Sequence, residues 1–194
     1  SDQGETWVRR GMVVFPESRF DEHMIVEKKD GTLWMLARTA NGIYQSFSED
    51  CGATWSTPSF SGIEHISARF NIRRLNSGRL LLVKHGREIK ELTKSRTHLT
   101  AFLSEDDGQT WIGGLVLDER GEVSYPDSVQ SPDGSIYIQY DYNRDTAGHI
   151  LFAKVTEQDI LSGKLVSEGS ALRRFVSIPF GLEANRALRG TTNQ

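Results

Sequence analysis

The chain has 194 residues, 37% hydrophobic and 25% charged, with 18 glycines, an ordinary globular composition that excludes a disordered chain. Its 23 basic and 26 acidic residues leave a net charge of -3, so no bias points to nucleic acid or an anionic membrane surface. No apolar run is long enough for a transmembrane helix, no signal peptide is visible, and the lone Cys51 excludes an internal disulfide framework and a cysteine-based zinc site.

The chain opens on Asp2-Gln3-Gly4-Glu5-Thr6-Trp7, and the same turn returns in full at Ser48-Glu49-Asp50-Cys51-Gly52-Ala53-Thr54-Trp55 and Ser104-Glu105-Asp106-Asp107-Gly108-Gln109-Thr110-Trp111. The shared pattern is S-x-D-x-G-x-T-W. Ser and Asp side chains hydrogen-bond nearby backbone to hold a tight turn. Gly supplies the positive φ such turns need. Thr and Trp then restart a strand, with the indole packed between sheets. The motif needs no chemistry to explain it, and no catalytic role is assigned to it. Its tryptophans recur about every 50 residues, the size of a β-propeller blade.

Between these turns lie three hairpins. Asp30-Gly31 joins strand-like runs at 24–27 and 32–37, Ser77-Gly78 joins 70–75 to 79–83, and Asp133-Gly134 joins 129–131 to 135–140. Third strands follow at 43–48, 98–104 and 149–155. Thr156-Glu157-Gln158-Asp159 resembles a capping box, before a helical turn that Gly163 stops. A last outer strand is expected at 172–178, and the signal fades from Pro179. The reading is one all-β domain over 1–194, a partial β-propeller of three nearly whole blades plus the outer edge of one before them. Propellers run from four to eight blades, and three would leave open sheet edges. We therefore expect the C-terminal portion of a longer protein, its remaining blades in a missing N-terminal part or another chain.

Equal offsets from the hairpin glycines locate one end of the blades. Nine positions before Gly31, Gly78 and Gly134 stand Glu22, Arg69 and Tyr125, and seven after them stand Arg38, His85 and Asp141. The start of a hairpin's first strand lies beside the end of its second. The first set should ring the axis, with the second just behind. Arg96, ahead of the third strand of its blade, returns to this mouth, and Asp127 lies two residues past Tyr125. Arginine forks favour carboxylate or phosphate, so the set predicts an anionic ligand. The alternative is a solvated rim in which Arg38 pairs with Glu22. The histidines at 23, 65, 85, 98 and 149 lack short ligand spacing, so neither a metal nor another cofactor is expected. Trp34 reads as packing between blades.

The turn motif is the Asp box, or BNR repeat, and the chain resembles the sialidase (neuraminidase) superfamily, whose propellers have six blades. Residues 21–31 resemble the stretch holding the glutamate that partners the nucleophile, here Glu22. Arg38 falls at a carboxylate-binding arginine, and Arg96, ahead of Ser104, at the third arginine of the family's triad. Ser124-Tyr125-Pro126-Asp127 resembles the nucleophile segment, with Tyr125 as the tyrosine. The resemblance implies an exo-glycosidase that removes a terminal sialic acid or similar acidic sugar with retention, through a covalent glycosyl-tyrosine. The family's first arginine and acid/base aspartate belong to earlier blades, so this chain alone is expected to be inactive or much weakened. Arg69 and His85 at the mouth, and Pro126, depart from the typical pattern, so a hydrolase for another acidic sugar such as a uronic acid fits as well. A third reading is a propeller that binds glycans or proteins without catalysis. Export to the periplasm or outside the cell is implied only by the family's bacterial members.

Overall fold

Three glycines in the same backbone state set the architecture. Gly31, Gly78 and Gly134 have φ of 86°, 86° and 87°, and each donates its N–H to the carbonyl three residues back, at Lys28, Leu75 and Ser131. The positive φ that glycine adopts without strain closes each hairpin in the same way. The computed structural model describes residues 3–20 and 22–178. Asp2 of the first turn motif, Asp21 and the tail from Pro179 lie outside the described residues.

Twelve strands form three four-stranded antiparallel meanders. The first blade holds β1 (His23–Glu27), β2 (Leu33–Thr39), β3 (Gly42–Ser48) and β4 (Ser59–Ile63). The second holds β5 (Asn71–Arg74), β6 (Leu80–His85), β7 (Leu99–Ser104) and β8 (Ile112–Asp118). The third holds β9 (Val123–Gln130), β10 (Ile136–Tyr142), β11 (His149–Val155) and β12 (Ala171–Ser177). Each blade runs from an inner to an outer strand, and the inner strands β1, β5 and β9 lie side by side. Arg74 donates to the Glu27 carbonyl at 2.7 Å, and Asn71 to Asp127 at 3.1 Å. This is a sialidase-type propeller arrangement, of which the described residues hold three blades.

The core lies between blades. Val26, Trp34 and Leu36 of the first blade meet Ile72, Leu80 and Leu82 of the second. Leu81 and Val83, on the opposite face of the same strand, meet Ile136, Ile138 and Tyr140 of the third. Strand β6 is therefore buried on both faces, and its alternation sorts side chains between two neighbours rather than between core and water.

Both full Asp boxes close by the same bonds. Asp50 accepts from the Thr54 N–H and hydroxyl at 2.8 and 2.6 Å, and Asp106 does the same with Thr110 at 2.8 and 2.5 Å. The serine oxygen accepts from the glycine N–H at 2.8 Å in each. These bonds, foremost those from the threonines, hold both carboxyls down at about 2. Trp34 packs between blades, stacked on Phe47 with centroids 6.3 Å apart.

The region before the first blade differs from expectation. Residues 7–15 form no strand. They run along the outward face of the first blade near Met35 and Ala37, held by the Gly11 N–H on the Gly52 carbonyl at 2.8 Å. Strand β9 begins at Val123, well ahead of the expected 129, because Tyr125-Pro126 sits in a bulge rather than a loop. The helical turn is α1 (Glu157–Ser162), with the Thr156–Asp159 capping box and Gly163 in the left-handed state. No helix among the described residues is long and apolar enough to cross a membrane.

Candidate active site

Tyr125 owes its position to a bulge. Ser124 pairs with Asp141 and Asp127 with Gln139, so two residues of β9 stand opposite Tyr140 alone. Tyr125 takes φ 53° to absorb the extra residue, a left-handed conformation uncommon for a bulky side chain. Bulges re-aim side chains, and this one turns the phenol toward the first blade. Pro126 has no N–H to donate, which an edge strand tolerates.

The phenol of Tyr125 donates to Glu22 Oε1 at 2.5 Å, across 103 positions of sequence. Glu22 Oε2 accepts from Arg38 Nη1 at 2.6 Å. Arg38 is buried and is fixed further by Ser67, whose hydroxyl and carbonyl accept from Nε and Nη2 at 3.2 and 2.7 Å. Phe20 covers the guanidinium, its ring centroid 4.0 Å away. Burial acts to raise the Glu22 carboxyl, but the hydrogen bonds of Tyr125 and Arg38 and the charges of Arg38 and Arg69 outweigh it, and the group sits below its ordinary value. Glu22 is thus an ionised acceptor aimed at a phenol proton.

The remaining predicted residues surround this pair, with one exception. Arg69 lies 5.9 Å from the Tyr125 ring centroid and 3.8 Å from Asp127. Arg96 donates to the Ser124 hydroxyl at 3.1 Å. Asp141 accepts from Arg144 at 2.8 Å. A cleft of about 320 Å³ beside the phenol is lined by Arg69, Tyr125, Asp127, Asp141 and Arg144. Arg38, Arg69 and Arg144 each face a carboxylate. Arg96 forms no ion pair among the described residues.

The exception is His85. It is fully buried and offers the mouth no surface. Its Nε2 lies 2.8 Å from the Val123 carbonyl and its Nδ1 3.2 Å from His65 Nε2. A carbonyl only accepts, so His85 carries its proton on Nε2 and its Nδ1 accepts from His65. Burial pushes His85 down to about 4 and His65 well below its ordinary value, and the neighbouring cations Arg96 and Lys84 act in the same sense.

The sequence reading missed Arg144, whose guanidinium carbon lies 4.2 Å from the Tyr125 ring centroid. It also missed Ser67, which orients Arg38, and His65. Arg144 sits beyond the hairpin offsets, three residues after Asp141, and that i,i+3 charge pair was the available signal. Among the described residues no group of three or more His, Cys, Asp or Glu side chains is arranged to hold a metal.

The Asp boxes and the three four-stranded blades define a BNR-repeat propeller of sialidase-like fold. The chain belongs to the BNR repeat-like domain family, whose model matches residues 1–138. A search of curated proteins returns no match. Among solved structures, the chain is similar to the NanB sialidase of Streptococcus pneumoniae, with TM-score 0.60 and 18% identity over 93% of this chain and 26% of that one. It is also similar to a Dyadobacter fermentans protein of unknown function, with TM-score 0.55 and 22% identity over 73% and 39% of the two chains. The Hadza microbial sialidase Hz136 aligns with TM-score 0.50 and 18% identity over 78% and 34%. At these identities the likeness shows the fold, and the chain spans well under half the length of each of the three.

Proposed function

We propose that these blades belong to a retaining exo-glycosidase of sialidase type, acting on a terminal sialic acid or another acidic sugar. The observation that carries this reading is the Tyr125 phenol donating to the ionised Glu22 at 2.5 Å. Sialic acid bears a carboxylate on its anomeric carbon, which repels a carboxylate nucleophile, whereas a neutral phenol is not repelled. On this reading Glu22 takes the phenol proton as Tyr125 Oη bonds to the anomeric carbon, while the glycosidic C–O bond breaks and the departing aglycone oxygen takes a proton from an acid on another blade. Water then releases the sugar from tyrosine with net retention. Arg96 receives the substrate carboxylate. Arg38, already engaged with Glu22 and Ser67, offers the remaining two of its five donors. Arg69, Asp127, Asp141 and Arg144 contact the sugar hydroxyls from the cleft, and other blades supply the leaving-group acid and a further arginine.

The test is turnover by the full-length protein on a panel of aryl sialosides and aryl uronides. Tyr125→Phe should lower kcat roughly 10³-fold or more, and a slowly released fluorosugar should leave its mass on the peptide containing Tyr125. Near wild-type turnover in Tyr125→Phe would remove the tyrosine from the mechanism. Turnover of uronides alone would redirect the substrate class.

A further inference from the structure

The mouth of the propeller rests on a buried histidine pair that the proposed chemistry does not use. His65 lies in the segment between β4 and β5, and His85 ends β6. Their rings sit 5.3 Å apart, with His65 also edge-on to Phe70. Each histidine leads to one side of the Tyr125–Glu22 contact. The segment of His65 carries Ser67, which holds Arg38 and through it Glu22. His85 donates to the carbonyl of Val123, two residues ahead of Tyr125.

We propose that His65 and His85 are positioning residues, a neutral hydrogen-bonded pair that holds Tyr125 against Glu22 and releases it when the pair takes up a proton. The proposal rests on the reading of Tyr125 and Glu22 given above.

The bulge is why an anchor is needed. At a register shift two residues face one, and the ladder alone does not fix which residue projects. The His85 bond to Val123 pins the strand just before the shift. The bonds also have one order only. With His85 protonated on Nε2, its Nδ1 must be bare to accept from His65. A proton added at His85 Nδ1 either sets two N–H groups face to face across 3.2 Å or shifts the His65 proton to His65 Nδ1 and leaves a buried imidazolium on His85 beside Arg96 and Lys84. A proton added on His65 instead places a charge among cations. The charges acting on the pair are those of Lys84 on β6, Arg38 on β2 and Arg96 ahead of β7, with Glu22 paired to Arg38 and Glu64 and Glu91 acting on Lys84. Either way the neutral arrangement is the stable one, and acid disrupts it.

The chain labelled with carbon-13 at tyrosine Cζ provides the test, with the Tyr125 resonance assigned by Tyr125→Phe. Glu22→Gln serves as the control. If it leaves the Tyr125 resonance in place, the tyrosine–glutamate pair itself falls, whatever the histidines do. Given a response to that control, His85→Leu should move the resonance toward the Glu22→Gln position at neutral pH. His85→Gln keeps an N–H for Val123 and should restore the wild-type position. On acidification the wild-type resonance should move at a higher pH than that of His85→Gln, because the wild type loses the contact through the histidine pair as well as through Glu22. His65→Leu removes only the donor to His85 and should move the resonance in the same direction, which keeps the test decisive if His85→Leu fails to fold. An unmoved resonance in a folded leucine variant would overturn the proposal, as would equal acid midpoints for wild type and His85→Gln.

Discussion

Glu22 is the residue on which the site turns, because it compensates a buried charge as well as accepting a proton. Arg38 is only 4% exposed, and a buried charge deprived of its partner is far costlier than a surface one. Glu22→Gln keeps the shape and removes the charge. It should cost about 3 kcal/mol, read as a lower urea midpoint at neutral pH, whereas Tyr125→Phe should change that midpoint little. The pH dependence follows from the sign of the shift. The folded Glu22 lies below its ordinary 4.5, so its contribution is complete above that value and is lost as pH falls through the folded value. The variant should therefore approach wild type in acid. His85 acts over a higher window: the unfolded chain takes up a proton near 6.5 that the folded chain refuses until about 4, so stability falls between those values in both proteins and cancels in the difference. The offsets from Gly31 and Gly134 made Glu22, Arg38 and Tyr125 legible in the sequence, because hairpin geometry is local and repeats. The depth of His85 was not legible. Alternation in β6 tells which face a side chain takes, and here both faces are covered.

At the scale of elements, the turns show which glycines bear on the packing of blades. Gly31 has φ 86°, but a Cβ added there meets nothing within 4 Å. Gly108 of the second Asp box has φ 88°, and its added Cβ would stand 2.4 Å from the Trp34 ring of the neighbouring blade. The backbone term is similar in both, about 1 kcal/mol for a side chain held in the left-handed region. Only Gly108 adds a clash with a large side chain that is itself buried. Gly31→Ala should therefore cost about 1 kcal/mol, and Gly108→Ala about 3 kcal/mol, compared by denaturant midpoints. The Asp boxes could be read from sequence because their bonds run between residues at most four apart. The start of β9 could not, since Tyr-Pro-Asp has the composition of a turn, and only pairing with β10 shows it to be a bulged strand. The Trp34–Gly108 contact joins two blades and has no local signature.

Among the three described blades each is stabilised by its neighbours, and in the 194-residue chain taken by itself position in the row decides stability. The second blade meets the first through Leu80 and Leu82 and the third through Leu81 and Val83, all fully buried. The third blade presents Val129 and Val176 to the surface on its other side, at 53% and 59% exposure. Its outer strand β12 pairs with β11 through two register shifts. In arrays bonded by nearest neighbours, stability sums over units and interfaces, and the unit with two interfaces opens last. In the 194-residue chain taken by itself, amide exchange in β6 and β7 should accordingly be slowest and approach the global unfolding limit, while β12 and the edges of β1 and β9, unpaired among the described residues, exchange through smaller openings. Leu82→Ala removes packing at the interface of the first and second blades and should cost about 3 kcal/mol. Because that interface belongs to both blades, its loss should speed exchange in β2 as well as β6 and leave β10 less affected. Uniform acceleration across all three blades would instead mean that the row unfolds as one unit, and that the interfaces are too strongly coupled to be separated.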